Sequence, residues 1–235
     1  MTDPTVKILP ARWPSASNAR FFNAARTQYR AQFNGSVAPV GSFGATVTEF
    51  GSRGNGGLGR FGPASQYDSV ATTGSIAGAK LVLPDGADNV RWATMPLFRT
   101  RFRTGASIAA CRLWAGLFNA DPTGSDSPAT TSIGLRFSTA VPDATVKLFT
   151  RVNGVTKVKD LGVALVASKL YGVEAWLEEA GTKAYCRFYG EDVADVVVSD
   201  DVSDDSTGFA EAYTTITTLA DVSKIIRVGS IDVET

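Results

Sequence analysis

From residue 98 onward the chain alternates apolar and polar positions with a period of two, the pattern of half-buried β-strands. In Phe98–Arg103, Phe98, Thr100 and Phe102 fall on one side and Arg99, Arg101 and Arg103 on the other. Ser107–Phe118 sets Ala109, Cys111, Leu113 and Leu117 against Arg112, Trp114 and Phe118. Further strands are predicted at Ile133–Phe137, Val146–Val152, Tyr171–Leu177, Lys183–Tyr189 and Lys224–Val233. Turn signals separate them: Asp121-Pro122-Thr123-Gly124, Pro142-Asp143, Asn153-Gly154, Ala180-Gly181 and Ser206-Thr207-Gly208. Asn153-Gly154 between two alternating runs predicts a hairpin. Many short strands at this spacing predict an all-β sandwich or barrel. Its core is expected to hold Leu113, Leu117, Ile133, Leu135, Phe137, Leu148, Val173 and Leu177.

The first part of the chain reads differently. In residues 17–33 Phe21, Ala25, Tyr29 and Phe33 recur every fourth position beside Phe22, with Ser17 as a cap and Asn34-Gly35 as a stop. That spacing predicts a short amphipathic helix whose aromatic stripe must dock on its own sandwich or on a neighbouring subunit. Residues 1–42 are therefore expected to form an arm, with residues 43–235 forming the sandwich. From Gly41 to Gly62 glycines are dense enough to predict a loop, covering 51–62, after a short strand at Ala45–Phe50.

Composition narrows the chemistry. Histidine is absent, which removes the commonest general base and the usual zinc ligand together. Lys+Arg and Asp+Glu are equal at 23 each, so net charge nominates neither nucleic acid nor membrane as a partner. The distribution is uneven: Lys7, Arg12, Arg20, Arg26 and Arg30 face a single acid, Asp3, within residues 1–42. Residues 191–205 carry Glu191, Asp192, Asp195, Asp200, Asp201, Asp204 and Asp205 without a base. The two segments either complement each other between copies or are a solvated arm and a solvated loop. Cys111 and Cys186 are too few for a structural zinc site. They read as two small buried hydrophobes or as a disulfide between adjacent strands. No run of about 18 apolar residues predicts a membrane span, and MTDPTVKILPARWP has no signal-peptide pattern.

Candidate motifs fail on context. Gly54-Asn55-Gly56-Gly57-Leu58-Gly59 matches GxGxxG, but Pro63 stands where the phosphate-binding helix should run. Glu174 and Glu178, beside Trp176, are the nearest approach to a glycosidase pair, and they read as a solvated strand face. Asp200, Asp201, Asp204 and Asp205 could offer oxygens to calcium, as could Asp121, Ser125 and Asp126, yet neither group has a fixing geometry. Arg99, Arg101 and Arg103 form either a phosphate-binding stripe or the charged solvent face of a strand. Without exposed aromatics interleaved among them they do not predict nucleic-acid binding. No catalytic residue, cofactor or metal ligand is nominated.

An ordered series from Arg112 to Asp192 carries a resemblance. A strand ending in Gly-Leu-Phe (Trp114–Phe118) precedes a Pro/Ser/Asp loop (Asp121–Pro128) and the segment GLRFSTA (Gly134–Ala140). A strand and turn (Lys147–Thr156) lead to DLGVA (Asp160–Ala164), then YGVEAW (Tyr171–Trp176) and RFYG (Arg187–Gly190). This series, closed by ITTLADVSKIIRVGSIDVE, resembles the concanavalin-like jelly-roll domains of tailed-bacteriophage virion proteins, including tail fibres and capsid-associated proteins. It spans roughly residues 92–235. The resemblance implies a jelly-roll sandwich in a virion setting, without a defined site.

The resulting expectation is a non-enzymatic virion structural protein, a capsid decoration or tail component, that binds other virion proteins through its arm. The expected contact residues are Phe21, Phe22, Arg26, Tyr29, Arg30 and Phe33. A homo-oligomer is expected, trimeric as such appendages often are. The alternative is a tail-fibre adhesin that binds a host surface glycan through exposed Trp or Tyr on a concave sheet.

Overall fold

The computed structural model describes residues 27–35, 38–58, 62–84, 90–178, 182–203 and 207–235. Among them the chain is a two-sheet antiparallel sandwich of fifteen strands. The first five are β1 (Gln28–Gln32), β2 (Thr46–Phe50), β3 (Ser52–Gly57), β4 (Pro63–Asp68) and β5 (Ile76–Val82). The middle five are β6 (Leu97–Thr104), β7 (Cys111–Phe118), β8 (Ser132–Ser138), β9 (Lys147–Val152) and β10 (Val155–Asp160). The last five are β11 (Leu170–Leu177), β12 (Lys183–Gly190), β13 (Val193–Asp201), β14 (Glu211–Thr218) and β15 (Ile225–Glu234). An eight-stranded sheet runs β13-β12-β11-β6-β15-β4-β3, with β1 continuing beside the second half of β15. A seven-stranded sheet runs β10-β9-β8-β7-β14-β5-β2.

Period-two patterning puts the apolar side of each central strand into the gap between the sheets. Phe98 and Phe102 of β6, Val173 and Leu177 of β11, and Phe188 of β12 meet Leu113 and Leu117 of β7, Ile133 and Leu135 of β8, and Ile216 of β14. All eight residues expected in the core are there. In β15 the register shifts between Val228 and Ser230, so one extra residue, Gly229, keeps Ile226 and Val228 and then Ile231 and Val233 facing inward. The gap also contains a hydroxyl relay. Thr214 Oγ1 donates to Thr100 Oγ1 at 2.8 Å, and Thr100 Oγ1 donates to the Ser230 carbonyl at 2.8 Å. That satisfies the two buried hydroxyls and ties β14 to the bulged strand.

At one edge the chain itself passes between sheets, since β2 belongs to the seven-stranded sheet and β3 to the eight-stranded one. Gly51, between them, has φ +82°, and a β-carbon there would lie 2.4 Å from the Asp68 carbonyl oxygen. Only glycine turns this corner without strain.

Two expectations are corrected. Gln28–Gln32 is a strand paired with β15, not the end of a helix spanning 17–33; residues 17–26 lie outside the described residues. Tyr29, Ala31 and Phe33 are buried in the core, with Phe33 and Tyr67 packed edge to face at 6.2 Å. The sandwich thus begins by Gln28, inside the span expected to be an arm ending at residue 42. The glycine-rich stretch is not all loop either: Ser52–Gly57 is β3, paired residue by residue with β4. Pairing overrides the low strand propensity of glycine there.

Candidate functional site

The outward faces of the two sheets are built differently. On the seven-stranded sheet, Trp114, Phe118, Phe149 and Tyr213 form a second, fully buried aromatic cluster with Phe50 packed against it. Trp114 sits edge-on to Phe118 and Phe149 at 5.6 and 5.0 Å. Two largely buried arginines of this face hold the flanking loops down. Arg112 grips Asp126 through two nitrogens at 2.6 and 2.9 Å and donates to the Thr123 carbonyl at 2.9 Å. Arg136 grips Asp143 at 3.1 Å twice and donates to the Asp126 carbonyl at 2.8 Å. Trp114 Nε1 donates to the Ser125 carbonyl at 3.3 Å, beneath the same loop. The arginine beside Asp126 lowers its pKa through these hydrogen bonds. This region of the face is closed.

The eight-stranded sheet presents a charged ladder instead. Strand register aligns Arg30 (β1), Asp232 (β15), Arg99 (β6), Glu174 (β11) and Arg187 (β12) across five neighbouring strands. The signs alternate along the row. Arg30 meets Asp232 at 2.8 Å, Arg99 lies 4.0 Å from Glu174, and Arg187 meets Glu174 at 3.4 Å and Asp195 at 2.9 Å. Arg99 also pairs with Glu234. Burial raises the pKa of Glu174, against the lowering pull of Arg187 and Arg99, and raises that of Asp232, against Arg30. Opposite charges facing one another across strands stabilise the pairing.

Beside the ladder, aromatic rings lie on the same face. Trp176 and Tyr185 are cross-strand partners stacked at 5.1 Å with planes 4° apart, and both are half-buried. One step along β12, Tyr189 lies over Gly172, where a β-carbon would come within 2.2 Å of its ring. The Arg187 guanidinium is 5.1 Å from the Tyr189 ring centre, a cation–π distance. Burial raises the pKa of the Tyr189 hydroxyl, against the lowering pull of nearby Arg101. Arg101 is exposed and lines two hollows of this face. One, of about 130 Å³, is walled by Leu170, Tyr171, Gly172, Tyr189 and Gly190. The other, of about 280 Å³, lies towards β1 and includes Arg30, Gln32, Asn34 and Ser230 above Phe33 and Leu58. The two hollows share Arg101; the pair, called the groove below, offers aromatic and apolar surfaces and polar groups on either side of its guanidinium.

Three of the six residues expected to form an external contact patch are among the described residues. Tyr29 and Phe33 are inside the fold, Arg30 is in the ladder, and Phe21, Phe22 and Arg26 lie outside the described residues. The acidic segment is largely the edge strand β13, and three of its acids have partners in the same chain. Asp192 pairs with Lys169, Asp195 with Arg187, and Asp201 lies 3.8 Å from Lys183. The GxGxxG residues Gly54–Gly57 are in β3, paired with β4, and among the described residues no helix directly follows them. Among the described residues no group of three or more acids or cysteines is placed to hold a metal. Asp121 accepts from Thr123 and Asp126 is held by Arg112. Cys111 and Cys186 are free thiols buried on opposite sheets. Glu174, the nominated acid of a glycosidase pair, is enclosed by two guanidinium groups, and the backbone N–H of Glu178 bonds Lys183.

Sequence reasoning had found the alternation of Arg99, Arg101 and Arg103 but not the groove. Gly172 and Tyr189 are brought opposite each other by the β11–β12 register, and no local pattern announces that.

No family model matches the chain, and no curated relative matches it. Solved structures do. A protein of unknown function from Shewanella oneidensis MR-1 superposes with a TM-score of 0.57 at 11% identity, covering 96% of this chain and 95% of that one. Peanut lectin superposes with a TM-score of 0.57 at 12% identity over 90% and 98% of the two chains. An alginate lyase from Aplysia kurodai gives 0.55 at 8% identity over 80% and 89%. Lectin and lyase alike share the architecture, so the likeness is one of fold. The chain has a two-sheet antiparallel, concanavalin-like sandwich fold.

Proposed function

We propose that this chain is a non-enzymatic glycan-binding module whose recognition surface is the outward face of the eight-stranded sheet. The observation that carries the reading is the groove around Tyr189, with the Trp176–Tyr185 stack on the same face. Aromatic faces offer apolar area for the C–H side of a sugar ring, while hydroxyl, amide and guanidinium groups set orientation. The acids nearest this surface are engaged by arginines: Glu174 by Arg99 and Arg187, Asp232 by Arg30, and Asp195 by Arg187. A carboxylate held this way stabilises the sheet and is poorly placed to donate or accept a proton. Peanut lectin, by its name a lectin, has the same fold and so is consistent with the reading.

A glycan array probed with the full chain tests it. The expected result is selective binding to a subset of saccharides, weakened at least tenfold by Tyr189→Ala with an unchanged thermal midpoint. Turnover of a bound saccharide would refute the non-enzymatic part, and absence of binding would refute the recognition part.

A second reading follows from the ordered series Arg112–Asp192, which resembles phage virion jelly rolls: this module works on the outside of a bacteriophage particle, as a fibre or capsid component. The two readings are compatible, since a virion adhesin is both. Antibody labelling of particles that carry the protein distinguishes a surface position from an internal one.

A further inference from the structure

The three arginines of β6 have different partners, although they alternate outward identically. Arg99 is held by Glu234 and Glu174, and Arg103 donates to the Ser168 carbonyl at 3.0 and 3.1 Å. Arg101, exposed between them, forms no ion pair among the described residues; its neighbour is the neutral hydroxyl of Tyr189. It stands opposite Ser230 on one side and Gly172 on the other, positions without charge. The ladder one step away is neutralised in alternate signs; here Arg101, Arg103 and Arg227 have no acid among the described residues, but Arg103 is held by the Ser168 carbonyl and Arg227 by Gln66 Oε1. Arg101 is therefore the guanidinium of the three whose planar fork of donors is taken, among the described residues, by neither an acid nor a carbonyl.

Its surroundings suit a ligand that supplies one carboxylate on a polar ring. The hollow towards β1 holds a second guanidinium, Arg30, whose side chain is 47% exposed despite its bond to Asp232. Gln32 and Asn34 add amides, and buried Phe33 and Leu58 make an apolar floor. No acidic side chain lines either hollow among the described residues. At about 280 Å³ the larger one is near the small end of ligand pockets. On the other side of Arg101, Tyr189 and Leu170 line the smaller hollow, which takes a neighbouring residue of the same ligand.

We propose that Arg101 is the anchor of a subsite for an acidic saccharide, its guanidinium pairing with the carboxylate of a uronate or sialate residue seated between the two hollows. The inference rests on the glycan-binding reading above and assigns that site its ligand class. Bidentate pairing fixes both the position and the plane of the carboxylate.

The test is calorimetric titration of the full chain with trigalacturonate and 3′-sialyllactose, each beside a neutral counterpart: methyl-esterified trigalacturonate and lactose. At least one acidic probe binds at least tenfold more tightly than its neutral partner, and the two arms tell uronate from sialate. Arg101→Gln removes that preference while the thermal midpoint stays at the wild-type value. Equal binding of acidic and neutral probes, or full retention of the preference in Arg101→Gln, overturns the assignment and leaves glycan binding standing. Failure of these probes and of every saccharide on the array overturns both.

Discussion

The ring of Tyr189 occupies the space that a side chain at residue 172 would take: a β-carbon on Gly172 would lie 2.2 Å from Tyr189 Cζ. The aromatic platform of the groove therefore depends on a glycine in the neighbouring strand. Because the clashing atoms are the far end of a side chain, Gly172→Val is expected to push the ring aside without breaking β11. Saccharide affinity should fall by about fivefold, in line with roughly 1 kcal/mol for a lost aromatic contact. Titration beside a thermal melt checks this, and a large fall in midpoint would show that the glycine serves the fold instead.

The first strand is expected to be essential to the fold. A chain beginning at Thr27 retains β1 and should melt close to the full-length value. A chain beginning at Gly35 loses Tyr29, Ala31 and Phe33 from the core. Deleting one buried aromatic side chain alone costs about 3–5 kcal/mol. Denaturant unfolding of both proteins measures the difference, and equal stability would place β1 outside the cooperative unit.

This strand also shows where the sequence was ambiguous. Spacing of four between Ala25, Tyr29 and Phe33 fits a helix face, but four is also twice the strand period, and Ala31 completes the alternation Tyr29, Ala31, Phe33. Arg30 and Gln32 then point outward, as the structure has them. Strands β6 to β9, β11 and β12 were legible because apolar residues alternate with polar or charged ones along most of them. β14 was not, because Thr214, Thr215, Thr217 and Thr218 are all buried while reading as polar. β-Branched threonine packs well in a sheet once its hydroxyl is bonded, as Thr214 is to Thr100. The groove was the least legible part, being a product of register among β6, β11, β12, β15 and β1.

The pins on the seven-stranded sheet should matter more to stability than to binding. Arg136 and Asp143 have side chains only 9% and 5% exposed, so removing one partner leaves the other charge buried and alone. Arg136→Met is expected to lower stability by about 3 kcal/mol, with saccharide affinity unchanged. Chemical denaturation and titration of the variant decide both halves. An unchanged midpoint would mean that the pair is dispensable.

Stability should depend on pH in two opposed ways. Glu174 and Asp232 have folded-state pKa values raised by burial, so their contribution favours the fold below the unfolded value of about 4 and is lost as pH rises through the folded values. Asp126, lowered by Arg112, and Asp160, lowered to about 2 by Lys147 and Thr145, act in the other direction. Their contribution is present above about pH 4 and is lost as pH falls through their folded values. Glu174→Gln should therefore flatten the decline on the alkaline side of pH 4 and leave the acid limb intact. Thermal melts from pH 2 to 8 test this; superimposable profiles for the two proteins would contradict it.

Cys111 and Cys186 should be inert in the native state. Burial pushes the Cys111 thiol up to about 12 and raises that of Cys186 as well, and both side chains are inaccessible. A thiol reagent such as dithionitrobenzoate is expected to titrate neither before unfolding and both afterwards. Rapid native labelling of either one would show that the core opens locally.

The central claim is that recognition occurs on the outward face of the eight-stranded sheet. Hydroxyl-radical footprinting of the full chain with its best array ligand locates the contact directly. The account predicts protection of Tyr189, Trp176 and Tyr185 on ligand addition, with no change in the loop from Asn119 to Thr131. Protection confined to that loop, with the three aromatic residues unaffected, would place the site on the other sheet and contradict the account.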